Sequence, residues 1–268
     1  MPSTLSGRTV LVTGATSGIG YETARRLAEL GATVLLHGRT PEEAQAAADR
    51  LIATAGIDGT RLRPLAADFT RLEEVEGLAR AVVRDHPRLD VLVNNAAIPA
   101  PERHTLTADG NEIAFQVNFL AHYLLTDLLA SALTTGPGGR VVNVSSALHR
   151  TAAIQWNDPQ RVRRYSRLAA YAQSQLALTV FASDPRVTAV SVDPGICETG
   201  LLPLYGHEGA PASEGARHVV RLCDPATEIA NGAYYDRSER VAPAPAATED
   251  RTVKRLNKLA DLLVGHTA

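Results

Sequence analysis

The stretch YAQSQ at residues 171–175 contains two side chains that could take part in proton chemistry. Tyr171 offers a phenol that can donate or accept a proton. Gln175 follows one helical turn later, on the same face. A nearby cation would normally help a catalytic tyrosine to ionise, but a glutamine amide carries no charge. The stretch therefore predicts a tyrosine acid beside a neutral position.

A second candidate for chemistry is the glycine-rich stretch TGATSGIG, which ends the apolar run that begins at residue 9. It contains Gly14, Gly18 and Gly20 and opens a helical stretch. A strand, a glycine loop and a helix in this order bring backbone N–H groups and a helix N-terminus close to a pyrophosphate. We therefore predict a dinucleotide-binding loop.

The elements that must position these residues alternate between strands and helices. The predicted strands are continuous apolar runs, which is typical of parallel strands covered by helices on both faces. They lie at 9–13, 33–36, 61–67, 90–94, 140–145, 187–192 and 232–236, and Pro64 suits a strand at the sheet edge. Predicted helices lie at 18–30, 41–54, 71–84, 110–133, 165–182 and 250–264. The pattern predicts a single Rossmann-type domain over residues 1–268, with a doubly wound parallel α/β sheet of about seven strands.

Two segments rich in Gly, Pro and Ala interrupt the late part of the chain, at 203–215 and 242–250. The first follows the sixth strand, where loops at the carboxyl edge of an α/β sheet cover substrates. A passive surface loop is an equal alternative. We predict a substrate loop at about residues 198–218.

Composition and charge limit the function classes. A formal net charge of −2 argues against electrostatic binding to nucleic acid or to a membrane. The basic run at 161–167 is interpreted as a solvated face. The 2 cysteines and 8 histidines show no disulfide framework or metal-ligand spacing, so no metal is predicted. No segment approaches the ~18 apolar residues of a membrane span, and a soluble cytoplasmic protein with a small-molecule substrate is expected.

Several motifs, in order along nearly the whole chain, resemble the short-chain dehydrogenase/reductase family. They are the G-x-x-x-G-x-G loop, NNAA at 94, FQVNFLAHYLLT, VVNVSSALH and DPGICETG. Within the family, LTADGNEIAFQVNFLAHYLLT and IQWNDPQRVRRYSRLAAYAQSQLAL look most like the retinol-dehydrogenase-like branch. Ala97 stands where the family motif has its final glycine.

The resemblance implies the roles of the catalytic residues. Tyr171 is the acid, Ser146 polarises the carbonyl, and Asn118 positions a water in the proton path. Ser145 is the neighbouring alternative to Ser146, since a shift of one residue along a strand faces the other way. Gln175 replaces the lysine with which the family binds the nicotinamide ribose and favours tyrosinate.

The resemblance also implies a set of cofactor contacts from the phosphate loop and from later motifs. These residues are Gly14, Ser17, Gly18, Ile19, Gly20, Asp68, Asn94, Gln175, Pro194 and Thr199. Asp68 has an alternative interpretation as a residue that caps a turn.

The end of the second predicted strand indicates which nicotinamide cofactor binds. An acidic residue there binds the ribose hydroxyls of NAD(H), whereas a basic one attracts the 2′-phosphate of NADP(H). The sequence has Gly38 and Arg39 at this point. NADP(H) is therefore predicted, with a solvated surface charge as the alternative reading of Arg39.

Gln175 also sets the expected direction of reaction, because a neutral phenol can protonate an alkoxide whereas alcohol oxidation needs tyrosinate. We expect NADPH-dependent reduction of a bulky, mostly apolar ketone or aldehyde. The loop residues expected to contact it are Ile154, Trp156, Leu201, Leu202, Leu204 and Tyr205. His149 or an arginine from 161–167 is a candidate for the missing charge.

Two other functions remain open at this point. One is a non-redox cyclase, dehydratase or isomerase on the same fold, and the other is a cofactor-binding protein without turnover. A homodimer is a further expectation from the family, although the helix after Tyr171 is about two turns shorter than in the family.

Overall fold

The computed structural model describes residues 5–135, 138–184, 186–204, 206 and 208–265. Within these residues one eight-stranded sheet has the order β3-β2-β1-β4-β5-β6-β7-β8. The strands are β1 (Thr9–Val12), β2 (Thr33–Gly38), β3 (Leu62–Ala66), β4 (Val91–Asn94), β5 (Arg140–Val144), β6 (Ala189–Asp193), β7 (Tyr234–Asp236) and β8 (Glu239–Val241). Every pairing is parallel except that of β7 with β8. The predicted doubly wound sheet is confirmed, with β3 and its Pro64 at one edge.

The eighth strand was not predicted. β8 has three residues with two exposed side chains, so it lacks the apolar run that identified the other strands. It pairs with β7 across a tight turn in which Arg237 adopts φ +52°. β8 therefore forms the second edge of the sheet.

The helices cover both faces of the sheet. They are α1 (Gly18–Glu29), α2 (Pro41–Ala55), α3 (Leu72–Asp85), α4 (Ile113–Phe115), α5 (Ala121–Thr134), α6 (Arg167–Phe181), α7 (Ala212–Cys223) and α8 (Asp250–Leu263). Along β1, Leu11 packs into one core cluster while Val10 and Val12 pack into the other. Because both faces are buried, the strand is apolar at every one of these positions.

The predicted helix at 110–133 is interrupted by a π-helical turn, Gln116–Leu120, between α4 and α5. This turn carries Asn118, and such turns are frequent at functional sites. Together Ile113–Thr134 form 22 helical residues that are apolar enough to cross a membrane, so the expectation that no segment reaches this length was wrong. Most of this stretch is buried inside the protein, where it forms part of the core.

Helix α7 was also missed, and it begins inside the segment predicted as a loop at about 198–218. Its Gly215 lies against the loop after β6. A Cβ at Gly215 would lie 2.7 Å from Cys197 Sγ and 3.2 Å from Pro194 Cβ. The glycine that weakens the helical pattern in the sequence therefore permits close packing in the fold.

Helix α8 packs on α6 and on the α5 side of the core. Tyr123 Oη donates to Asp261 Oδ1 at 2.5 Å, and Asn257 Nδ2 donates to Asp184 Oδ2 at 2.7 Å. Residues 170–181 of α6 are buried within this one chain. Helix α8 therefore covers part of α6.

Candidate active site

One cavity of about 450 Å³ opens at the carboxyl ends of the strands, where the order reverses between β1 and β4. Its size is typical of small-molecule sites, and a switch point is where such sheets bind ligands. The walls contain most residues of the predicted site: Gly14, Ser17, Gly18, Ile19, Gly20, Arg39, Asp68, Tyr171, Pro194 and Thr199. Asn94, Asn118, Ser146 and Gln175 are not among the residues that line it.

The phosphate loop has the geometry that its glycines predict. Gly14 and Gly18 have φ angles of +62° and +54°. A Cβ on Gly20 would lie 2.3 Å from the Gly14 carbonyl oxygen, so a side chain there is excluded. Ser17 precedes α1 without a side-chain capping bond. The open N-terminus of α1 can therefore hold an anion.

The asparagine that contacts this loop is Asn95. Its Nδ2 donates to the Thr13 carbonyl at 2.8 Å and to the Gly14 carbonyl at 3.2 Å. Asn94 points into the core, where Nδ2 donates to Asn143 Oδ1 at 2.9 Å and to Thr126 Oγ1 at 3.2 Å. The two residues are adjacent in NNAA, and only the pleat of β4 decides which one faces the cavity.

His37 was not predicted, yet it lines the cavity and supports the loop from β2. Its Nε2 donates to the Ala67 carbonyl at 3.0 Å, and its Nδ1 accepts the Gly14 N–H at 3.1 Å. Burial lowers the pKa of His37 to about 4, so the ring is neutral at pH 7. A neutral ring can make both bonds, whereas a protonated one could not accept from Gly14.

The far end of the cavity contains Arg39, whose Nη2 donates to Glu43 Oε1 at 2.8 Å. At Gly38 a Cβ would lie 2.7 Å from Thr16 Cγ2 and 3.0 Å from the Ala44 backbone nitrogen. An acidic side chain at position 38 therefore has no room. Asp68 lines the same end and also caps its turn, since Oδ1 accepts from the Thr70 N–H at 2.9 Å.

Tyr171 lies on α6 at the opposite end and is 2% exposed. It packs in a small cluster with Ala100, Ala114 and Ala170. Gln175, one turn later, is also buried, and its Oε1 has no hydrogen-bond partner within the described part of the chain. An unpartnered buried amide oxygen next to this site is a group that a bound ligand can satisfy.

The two serines after β5 have different partners. Ser145 Oγ lies 2.7 Å from Thr179 Oγ1, and Thr179 donates to the Gln175 carbonyl at 2.9 Å. Ser145 Oγ also lies 3.5 Å from the Gln175 carbonyl oxygen, so its hydrogen can be directed at either oxygen. Ser146 Oγ accepts the Leu148 N–H at 3.2 Å. Ser145 lines the cavity, so the role of Ser146 remains a prediction.

Asn118 holds the wall of the cavity from behind. Its Oδ1 accepts the Ile98 N–H at 2.9 Å, and its Nδ2 donates to the Ile98 carbonyl at 3.1 Å and to Ser174 Oγ at 3.0 Å. Ile98 itself lines the cavity. The side chain of Asn118 thus clamps a backbone segment, and the predicted water contact is not tested by this geometry.

Three of the groups suggested as substitutes for the missing lysine are engaged elsewhere. His149 donates from Nδ1 to the Ser146 carbonyl at 2.8 Å and accepts the Ala244 N–H at 3.0 Å, and burial lowers its pKa. Arg161 donates to Gln173 Oε1 at 3.1 Å, and Arg167 donates to the Ala100 carbonyl at 2.7 Å. These two arginines therefore tie loops together and do not form a merely solvated face.

The loop after β6 completes the site. Asp193 Oδ1 accepts the Gly195 N–H at 2.9 Å and Oδ2 accepts the Ala147 N–H at 3.0 Å, so it joins this loop to the serine loop. Burial raises the pKa of Asp193. Of the predicted substrate contacts, Leu201 lines the cavity, whereas Ile154 packs in the core and Trp156 stacks under Arg255. Tyr205 lies outside the described residues.

These features together fit a dinucleotide. The glycines of the phosphate loop let a diphosphate lie close to the backbone, and the N-terminus of α1 favours its negative charge. Arg39 lies where the adenosine ribose is expected. A Cβ at the loop glycines would fill the space that the diphosphate needs.

Comparison with known proteins agrees with this geometry. A family model described as short chain dehydrogenase matches residues 8–205. The chain belongs to the short-chain dehydrogenase family. Members use NAD(P)(H) for alcohol and carbonyl oxidoreduction, so this oxidoreductase chemistry is the general activity of the chain.

The relatives also place it within the family. Retinol dehydrogenase 13 of Homo sapiens is 32% identical over 288 residues, which cover 98% of this chain and 86% of the relative. Putative daunorubicin C-13 ketoreductase DnrU of Streptomyces sp. (strain C5) is 36% identical over 280 residues, which cover 98% and 95%. A crystal structure of an uncharacterised protein from Mycobacterium paratuberculosis has a TM-score of 0.80 at 31% identity and covers 97% of this chain and 94% of that one. The retinol-dehydrogenase-like resemblance is confirmed.

Proposed function

We propose that this short-chain dehydrogenase reduces a bulky, mostly apolar ketone or aldehyde with NADPH. The observation that carries the proposal is one continuous cavity that runs from Arg39 and the phosphate loop to Tyr171. A cofactor bound along it would have its adenosine end at the arginine and its nicotinamide end near the phenol.

Two neighbouring residues, Gly38 and Arg39, support the preference for NADPH. Gly38 leaves no room for the carboxylate that would bind ribose hydroxyls, as the contacts to Thr16 and Ala44 show. Arg39 offers a planar pair of donors that suits a phosphate. Glu43 now holds that guanidinium, so a 2′-phosphate would compete with a carboxylate for it.

The residues of the chain supply the proton and the orientation. A bound reduced nicotinamide would supply the hydride. Tyr171 Oη donates its proton to the carbonyl oxygen as negative charge develops there. Ser146 would hold the same oxygen, which is the role that the family resemblance implies. Gln175, whose amide oxygen is buried without a partner among the described residues, would bind the nicotinamide ribose.

An apolar substrate is supported by the wall around Tyr171. Its described members include Ile98, Pro99, Ile113, Val117 and Leu201. No arginine or lysine is among the described residues at this end of the cavity. A charged substrate would lose its hydration there without gaining a partner.

We also propose that the partner is a small molecule in the cytoplasm, with neither nucleic acid nor membrane involved. The net charge of −2 argues against electrostatic binding to nucleic acid or to a membrane. A homodimer would need a surface other than the part of α6 that α8 covers.

A non-redox reaction is the second candidate, and the neutral Gln175 favours it because the family lysine is missing. Purified protein titrated with NADPH and with NADH, then mixed with a panel of ketones and aldehydes, separates the two. Reduction requires loss of nicotinamide absorbance with an apolar carbonyl, and that loss should fall by at least about a hundredfold in Tyr171→Phe. Tight NADPH binding with no consumption across the panel would contradict reduction and favour the alternative.

A further inference from the structure

His122 is a polar residue with no role in the reaction described above, yet it is completely buried. It lies at the start of α5, one turn after Asn118. Its ring packs edge-on against Phe69 at 5.4 Å, and it does not line the cavity.

The contacts of the ring determine its tautomer. Nδ1 lies 3.1 Å from the Asn118 carbonyl oxygen, which can only accept, so Nδ1 carries the hydrogen. Burial lowers the pKa of His122 to about 4, and the neutral ring then has a lone pair on Nε2. Nε2 lies 3.0 Å from Thr13 Oγ1, so the threonine hydroxyl donates to it.

Thr13 joins this histidine to the cofactor loops. Its Oγ1 accepts the Asn95 N–H at 2.8 Å and the Ala96 N–H at 3.0 Å. The Val93 carbonyl, at 3.2 Å, shares the hydroxyl hydrogen with His122. A directed chain of hydrogen bonds therefore runs from the wall of the cavity through Thr13 and His122 to the Asn118 carbonyl.

The chain continues from Asn118 to the helix of the catalytic tyrosine. The Asn118 amide binds Ser174 Oγ at 3.0 Å, and Ser174 donates to the Tyr171 carbonyl at 2.7 Å. Every side chain on this path is buried. Buried polar groups of this kind lose much of their stabilisation when one link is removed.

We propose that His122 is a positioning residue that couples dinucleotide binding at the phosphate loop to the placement of Asn118 and the Tyr171 helix. The inference rests on the proposed function, since the loop must bind a dinucleotide. His122 acts through its neighbours and does not touch the reacting atoms.

Hydrogen exchange with NADPH as the probe tests the coupling. Amides at 118–125 and 174–178 do not line the cavity, so slower exchange there on NADPH binding reports transmission through the protein. His122→Phe keeps an aromatic ring and removes both hydrogen bonds. It should bind NADPH within about threefold of wild type by nicotinamide fluorescence, lose the NADPH-dependent slowing, and lower kcat by about tenfold or more.

Two further variants sharpen the test. His122→Asn keeps a donor for the Asn118 carbonyl but removes the acceptor for Thr13, and it should also lose the slowing. Thr126→Val is the matched control. Thr126 lies on the same helix as His122 and makes a buried bond to Asn94 of β4, but it is not part of the hydrogen-bond chain. It should keep the slowing even where stability falls.

A double-mutant cycle with Thr13→Val adds an independent readout. If both residues act through one bond, the double variant should lose no more kcat than the worse single variant. Additive losses, or slowing that persists in both His122 variants, would overturn the coupling. Wild type that binds NADPH without slowing at 118–125 would overturn it too, whereas wild type that binds neither NADPH nor NADH would overturn the proposed function.

Discussion

At the scale of single residues, we expect the chemistry of the site to depend on Gln175. Its side chain is buried one turn from Tyr171, and its Oε1 is without a partner among the described residues. A lysine at the same place would add a charge beside the phenol. At ~5 Å and an effective dielectric of ~20, that charge would favour tyrosinate by about 3 kcal/mol.

Gln175→Lys should therefore raise alcohol oxidation at pH 7 by about ten- to a hundredfold while changing carbonyl reduction much less. Initial rates in both directions with one alcohol–carbonyl pair provide the measurement. Gln175→Met is the control, since it is similar in size and uncharged. Equal effects on the two directions in the lysine variant would count against the charge argument.

We propose that Arg39, at the other end of the cavity, determines the choice of nucleotide. Arg39→Ala should weaken NADPH binding by about tenfold or more and leave NADH binding nearly unchanged, because only NADPH offers the 2′-phosphate. Fluorescence titration with both nucleotides measures this. Arg80→Ala is a matched control, since the Arg80–Glu76 pair has the same spacing and similar exposure but lies outside the cavity. Equal weakening of both nucleotides would show that Arg39 acts on something other than the phosphate.

At the scale of elements, the site requires close approaches that only glycine allows. Helix α1 begins against the phosphate loop because Gly20 has no side chain, and α7 lies against the loop after β6 because of Gly215. The requirement for glycine at such close approaches can be tested with Gly20 and Gly77, two helical glycines whose surroundings differ.

Gly20→Ala and Gly77→Ala should have opposite effects. A Cβ on Gly20 would collide with the Gly14 carbonyl, whereas one on Gly77 meets nothing closer than the Arg80 guanidinium at 3.9 Å. The first change should lower stability and abolish NADPH binding. The second should raise the free energy of unfolding by about 0.5–1 kcal/mol. Urea denaturation gives both values, and stabilisation by Gly20→Ala would contradict the packing argument.

At the scale of the whole molecule, neutral buried histidines tie the loops to the core. His37 and His122 flank Phe69, and each accepts a hydrogen bond from the strand-end segment Thr13–Gly14. Burial lowers both pKa values from 6.5 to about 4. The fold therefore depends on keeping two imidazoles uncharged.

This dependence predicts a loss of stability in acid. Between pH 6.5 and about 4 the unfolded chain binds protons on these imidazoles and the folded chain does not. As the pH is lowered through this range, the free energy of unfolding should therefore decrease, by up to about 1.4 kcal/mol per pH unit for each histidine. Buried Glu112 and half-buried Asp193, whose pKa values are raised, oppose part of this slope.

Urea denaturation between pH 4.5 and 8 measures the slope. His122→Phe should make it shallower, because one of the two imidazoles is gone. Thr126→Val, which removes a buried bond but no titrating group, should lower stability without changing the slope. An unchanged slope in His122→Phe would show that this ring is not the group that titrates.

The amino-acid sequence by itself determined the doubly wound parallel sheet, the phosphate loop and the family. Each of these is encoded locally, in apolar runs, glycine spacing and ordered motifs. The sequence pattern did not predict β8, because this strand lacks an apolar run. It did not predict α7 either, because Gly215 weakens the helical pattern and its role is a close tertiary contact.

Only the tertiary structure decided which of two adjacent residues in a motif faces the cavity and which hydrogen bonds each one makes. Asn95 faces the cavity while Asn94 faces the core. Ser145 Oγ is hydrogen-bonded to Thr179 Oγ1 of helix α6. The chain of bonds from Thr13 through His122 to Asn118 joins residues 109 positions apart at its longest step. Such choices depend on which atoms meet across the fold, and no local spacing in the chain specifies them.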